Sequence, residues 1–168
     1  MSCLQTLNGI AKDCSPNKGG VKRVYAANFA DFKAEVDENG KATITAVNGE
    51  KLHKYEFPRG LASMTSTATI DASTGARYYT TDVALFFNRM DATKRMEIMA
   101  LFVADAIVIV EDENGTLWLP DYENPMVCSA GEGGTGTAVG DANRYGITLQ
   151  VMSDGLPYEV ESIEGLIE

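Results

Sequence analysis

A mainly β protein, either an antiparallel β-sandwich or a partly closed barrel with one flanking α-helix, is what this chain of 168 residues predicts. Three observations carry that expectation. Runs of alternating apolar and polar residues recur between Gly-, Asn- and Asp-rich turns along most of the length. One stretch, between Asp91 and Asp105, instead places apolar residues at three- and four-residue spacing. Directly after it, Ala106-Ile-Val-Ile-Val110 is a continuous β-branched run of the kind found in strands buried on both faces. The length suits a single domain, residues 1–168, with enough apolar content for a real core. Within it, residues 1–19 read as an irregular segment and 129–141 as a Gly-rich loop.

Taken in order, the first strand is expected at Gly20–Ala27. Asp31–Val36 fits a short helical turn or a strand. Asp37-Glu-Asn-Gly40 is a turn signal, and Lys41–Val47 alternates as a strand. Asn48-Gly49 is the strongest hairpin signal, because both central positions of a type I′ turn need positive φ. It predicts a return strand from Lys51 to Phe57, closed by Pro58. Ala62–Asp71 is a strand of small and hydroxyl residues, and Ser73–Gly75 turns the chain back. In the next strand Tyr79, Val83, Leu85 and Phe87 fall on alternate positions, with Thr81 in the gap.

Asp91 then fits a helix N-cap, with Ala92 and Thr93 opening the helix. Met96, Met99, Ala100 and Val103 share one face, and Ile98, Leu101 and Phe102 widen the apolar surface. The helix is therefore expected to be covered on two sides. Beyond the buried run, Asp112–Gly115 is a second hairpin turn, followed by a strand at Thr116–Leu119. Tyr145–Ser153 and Pro157–Ile163 read as a closing strand pair joined at Asp154-Gly155. The count comes to about nine strands and one helix, with no internal repeat.

Charge and residue types exclude several function classes. The formal charge is −10, with the acids spread along the chain, so tight binding to nucleic-acid phosphates is not expected. No apolar run approaches the roughly 18 residues of a membrane span, and the start lacks a secretory signal's basic and apolar regions. Cys3, Cys14 and Cys128 form no CxxC, and His53 is the only histidine, so the usual zinc pattern is missing. The cysteines read as reduced, buried thiols, with a Cys3–Cys14 loop as the alternative. Gly131–Thr137 lacks the lysine and following helix of a phosphate loop and reads as a mobile surface or contact loop. His53 shares a strand face with Tyr55 and Phe57; a catalytic partner could come from elsewhere in the fold, but no GxSxG occurs. Asp112 with Glu113 and Asp121 with Glu123 sit in turns, without the aromatic platforms a glycosidase needs, and DENGTLW lacks EF-hand spacing. No catalytic, cofactor or metal residues are expected, and the protein is read as non-enzymatic.

What remains is a β protein suited to presenting edges and loops. The small, hydroxyl-rich strand 62–71 has little to bury on one face, which suits a polar channel wall or contact with a neighbouring copy. The candidate subunit contacts are Ile98 and Phe102 on the helix, Trp118, Tyr122, and Gly133, Gly134 and Thr135 in the Gly-rich loop.

The segments YYTTDVALFFNRMDATKRMEIMAL, AIVIVEDENGTLWLPDY, GTGTAVGDANRYGITLQ and LPYEVE resemble tail-tube-type structural proteins of phages and prophages of Bacteroidales bacteria. The likeness covers roughly residues 50 to 161, and LNGIAKDC followed by GGVKRVY is similar to openings of such proteins. It implies a sandwich or barrel with a flanking helix, non-enzymatic, that assembles with itself into rings, usually hexameric, and with other tail proteins. The rings stack into a tube in the virion tail through which DNA passes without specific binding; the subunit is made in the host cytoplasm. Another tail or connector component, such as a terminator, ring or decoration protein, and a contractile-injection tube are the neighbouring alternatives. A carbohydrate-binding β module is the reading from a different class.

Overall fold

A computed structural model describes residues 6–168. Two sheets form, and neither closes into a barrel. The larger has seven strands in the order β2 (Phe32–Val36), β3 (Lys41–Ala46), β11 (Tyr158–Val160), β8 (Leu117–Leu119), β7 (Ala106–Asp112), β1 (Val21–Asn28) and β4 (His53–Tyr55). The smaller has four, in the order β5 (Ala62–Asp71), β6 (Ala76–Asn88), β10 (Arg144–Ser153) and β9 (Val127–Gly134). Pairing is antiparallel apart from β3 with β11. The mainly β class with one helix, α1 (Ala92–Val103), is as expected.

The apolar run of β7 organises the interior. Its residues alternate between two cores, as a pleated strand requires. Val108 and Val110 meet Val24, Val83, Leu85 and Leu149 between the two sheets. Ile107 and Ile109 point the other way, into a cluster with Phe32, Ile44, Leu119 and Val160. Those four partners belong to the same seven-stranded sheet, so that sheet curls over its own face. Full burial of a Val or Ile side chain stabilises by about 1.5–3 kcal/mol, and Ala106 to Val110 are all buried.

Several expectations change. Gly49 adopts positive φ, at 73°, but Asn48 does not, so the expected type I′ turn does not form, and the strands beside it do not pair. β3 joins β2 and β11, while β4 joins β1 at the opposite edge, with Val24 beside Tyr55. A local signal does not choose a strand's partner; burial of Leu52 and packing of Tyr55 against the inter-sheet core do. The closing pair also separates. β10 lies in the small sheet and β11 in the large one, and the chain crosses at Ser153–Pro157, where Ser153 Oγ donates to the Gly155 carbonyl at 2.8 Å. The ambiguous stretch resolves as a 3-10 turn, Phe29–Asp31, leading into β2. Eleven strands stand among the described residues; the two beyond the expected count are β2, from the ambiguous stretch, and β9, from the Gly-rich segment.

The Gly-rich segment is also not wholly a loop, since β9 runs through Gly134 and pairs with β10. Periodicity misses it because two inward positions are glycine seats for aromatic rings. A Cβ at Gly131 would overlap the Phe102 ring, and one at Gly133 would lie 3.0 Å from Tyr145. Gly131→Ala is therefore expected to destabilise by about 1–3 kcal/mol through overpacking. Urea unfolding would show it, and adding Phe102→Ala should recover part of the loss if the ring is the cause.

Asp91 caps α1 as expected, its carboxylate accepting from the Lys94 backbone N–H at 2.8 Å. That hydrogen bond holds the Asp91 carboxyl below its ordinary pKa. The buried face is the other one, however. Ile98 and Leu101 enter the inter-sheet core, whereas Met96 is 65% exposed and Val103 86%. Apolar residues surround most of this helix, so the spacing establishes the period without choosing the face. Coverage on two sides is thus not seen among the described residues.

Candidate assembly surfaces

Sheet edges expose unpaired backbone N–H and C=O groups, and proteins usually guard them with charge, proline, brevity or a covering segment. The large sheet is guarded. Its β2 edge carries Lys33 and Glu35, and its β4 edge is three residues long with Lys54 at its centre. The chain's last residues lie beside β4: the Glu168 backbone N–H donates to the Leu52 carbonyl at 3.1 Å, and its carboxylate meets His53 Nδ1 at 2.6 Å.

The small sheet is different. Its β5 edge is ten residues long, with no proline and no charge before the terminal Asp71. Its β9 edge carries a single charge, Glu132, and one register irregularity near Ser129. The outer ends of β5 and β6 run past the core: Ala68 is exposed and Ile70 is 70% exposed.

One face of this sheet packs inward, and pleating sends the alternate residues out. Registers place Ser63, Thr65, Thr67 and Thr69 of β5 opposite Ala84, Asp82, Thr80 and Tyr78 of β6 on the outer face. Thr148 and Gln150 of β10 continue it, with Gln150 Nε2 donating to Asp82 Oδ1 at 2.8 Å. Gly146 leaves room for the Phe86 ring to lie over the backbone, and the Arg144 guanidinium stacks 4.0 Å from that ring's centre. The result is a low-relief wall of hydroxyl and amide groups. Asp82 and Glu132 give it two carboxylates against the single guanidinium of Arg144. The helix lies elsewhere, with Phe102 against the inward side of Gly131 and the Tyr55 hydroxyl donating to Glu97. Burial, then that contact, raises the Tyr55 phenol above its ordinary pKa.

The seven candidate contacts do not form one surface. Ile98 is buried in this chain's own core and is not available to a neighbour, which corrects its assignment. Phe102 is 41% exposed beside β9, and Gly133, Gly134 and Thr135 lie along the end of that strand. Thr135 leads into a loop ordered by Asp141, whose Oδ2 accepts from the backbone N–H groups of Thr137 and Ala138 at 2.9 and 2.8 Å. The Ala138 bond, then the Thr137 bond, depresses the Asp141 carboxyl's pKa. Trp118 and Tyr122 sit with the large sheet, both half-buried. Trp118 donates its indole N–H to Asp112 at 3.0 Å, and Tyr122 packs edge-on to Tyr158 at 5.3 Å.

Other sequence candidates fall into ordinary places. His53 is exposed and paired with Glu168. Asp112 braces its turn by accepting from Asn114 and Thr116 backbone N–H groups at 2.9 Å each, and Asp121 likewise holds Glu123 and Asn124. Cys14 is exposed and Cys128 half-buried, so the buried-thiol reading fails for Cys14. A Cys3 pairing lies outside the described residues. What sequence reasoning missed was the contrast between guarded and unguarded edges, since strand order is not written in any local pattern.

No family model matches the chain, and no curated protein matches it. Among solved structures it is similar to a chain of the "Virion of native gene transfer agent (GTA) particle". The identity is 13%, the match covers 79% of this chain and 98% of that one, and the TM-score is 0.37. Similarity at that level does not establish a shared fold. No helix among the described residues is long and apolar enough to cross a membrane.

Proposed function

We propose that this protein is a self-assembling virion component of the tail-tube type, a structural subunit without catalytic function. One observation carries the reading: the four-stranded sheet has two unguarded edges and a smooth hydroxyl outer face. Adjacent strands in it alternate in direction from β5 to β9. With four strands, β9 of one copy runs antiparallel to β5 of the next when copies are related by rotation about a ring axis. Head-to-tail pairing therefore continues the antiparallel ladder without a break, and a rotation that closes makes a ring without free edges.

A hexamer, the form the sequence resemblance implies, would join about 24 strands at about 4.8 Å spacing, a circumference on the order of 115 Å before tilt. Such a ring is far wider than the eight-stranded barrels that side chains fill, so it encloses a channel. The hydroxyl face would line it. Acidic residues on that wall and a chain charge of −10 would repel DNA phosphates over a Debye length of about 8 Å, which favours passage over adhesion. Partners are then further copies of this chain and other tail proteins, in the virion.

The test is the oligomeric state of the purified protein. Light scattering across a concentration series should show a ring-sized species, and negative-stain images should show rings or stacked tubes. A monomer at every concentration up to the millimolar range would overturn the proposal.

A further inference from the structure

We infer that residues 6–20 of one copy dock into the groove between α1 and β1 of a second copy, and that this contact joins copies end to end. The inference rests on the self-assembly reading above and adds the segment that links copies along the stacking direction.

Two features stand open among the described residues. The first is the segment 6–20, all exposed, in which Leu7 is 94% exposed and Ile10 fully so. Its root is held: the Lys18 backbone N–H and the Asn114 side chain exchange contacts with Asn114 Oδ1 and Asn17 Oδ1, each at 2.8 Å. Beyond that root the eleven residues 6–16, fully extended, reach on the order of 38 Å.

The second feature is a groove along α1. Two adjoining depressions of about 230 and 630 Å³ share Asn28, Asp31, Ala100 and Ala104. Alanines from both walls, Ala26 and Ala27 of β1 and Ala100 and Ala104 around α1, leave room for larger side chains to enter. At one end Val103 adds exposed apolar surface.

Charge selects between occupants. Four carboxylates line the groove, those of Asp31, Glu50, Glu97 and Asp105, against the ammonium of Lys51 and His53, which is already paired with Glu168. The arm carries Lys12 and Lys18 against Asp13, a net positive segment in a chain of −10. An acidic groove with apolar walls matches a basic arm with two free aliphatic side chains.

Polarity decides the mode of joining. The arm leaves from Val21, which is paired with Asp112 at one end of β1 and β7. The groove lies beside Asn28 and Ala106, the opposite end of the same two strands. Eight residues of β1 put about 26 Å between them. A contact between opposite poles is heterologous, and repeated along one direction it stacks copies in an open series.

The experiment uses the full chain with Leu7→Asp and Ile10→Asp together, and separately Ala100→Glu, an exposed position where glutamate keeps the helix. Thermal unfolding checks that each variant folds. Images of both should show rings but stacks at least tenfold shorter than those of the parent protein. Stacks of parental length in either variant would overturn the inference, and so would loss of the rings themselves, which would move the arm to lateral closure. A labelled peptide with the sequence of residues 6–20, titrated against the full chain, tests the contact independently of rings. Micromolar binding that weakens with salt and is lost in Ala100→Glu supports the inference; no binding overturns it. Failure of the ring reading alone would leave the peptide result standing.

Discussion

Ile98→Asp is expected to unfold the protein, not merely to separate its copies. The side chain is 4% exposed and packs in the inter-sheet core with Leu101, Leu85 and Ile147. An aspartate there would put a carboxylate among apolar side chains, and an uncompensated buried charge costs about 3–5 kcal/mol. Domains of this size are stable by about 5–15 kcal/mol in total, so the folded population falls steeply or disappears. Ile98→Val, which removes one methylene, should cost only about 0.5–1.5 kcal/mol. Chemical denaturation followed by circular dichroism separates the two. A near-parental midpoint for the aspartate variant would mean that α1 does not pack by this face. Loss of assembly in that variant would be a consequence of unfolding and would say nothing about a subunit contact.

Thr65→Lys combined with Thr67→Lys is expected to do the reverse. Both threonines are exposed on the outer face of β5, and surface substitutions of this kind usually change stability by no more than about 0.5 kcal/mol. Lysines on an edge strand are a common natural guard against pairing. Two added charges per copy, repeated around a ring, would also repel one another across the closing seam. The variant should melt like the parent yet sediment as a monomer at concentrations where the parent forms rings. Intact rings would show that β5 is not the closing edge. Unfolding of the monomer would show that β5 depends on these side chains, which their exposure argues against.

Much of the fold could be read from the chain because it is written in local patterns. The buried run Ala106–Val110, the Asp91 cap and the Ser73–Gly75 turn each follow from residues a few positions apart. The errors occur where a distant choice decides. Asn48-Gly49 forms only a bend, and β4 joins β1, with Leu52 buried and Tyr55 partly buried against the inter-sheet core. The face of α1 is set by what lies across from it, Ile98 and Leu101 against the core, and a helix apolar nearly all round does not announce that. Gly131 and Gly133 look like loop glycines until the Phe102 and Tyr145 rings above them are seen. The candidate surfaces follow the same division. The hydroxyl character of strand 62–71 is plain in its composition, whereas its place at an unguarded edge depends on strand order, and of the candidate contacts Ile98 is drawn inward by packing.

The shared position of β7 has a mechanical meaning. One strand forms the common wall of both cores, with Val108 and Val110 on one side and Ile107 and Ile109 on the other. Neither core can melt while its neighbour stays intact, because losing either strips the same backbone of half its cover. The molecule then yields as one cooperative unit. In the assembly proposed above, strain at any joint would be met by the whole subunit, with no weaker half to give way first.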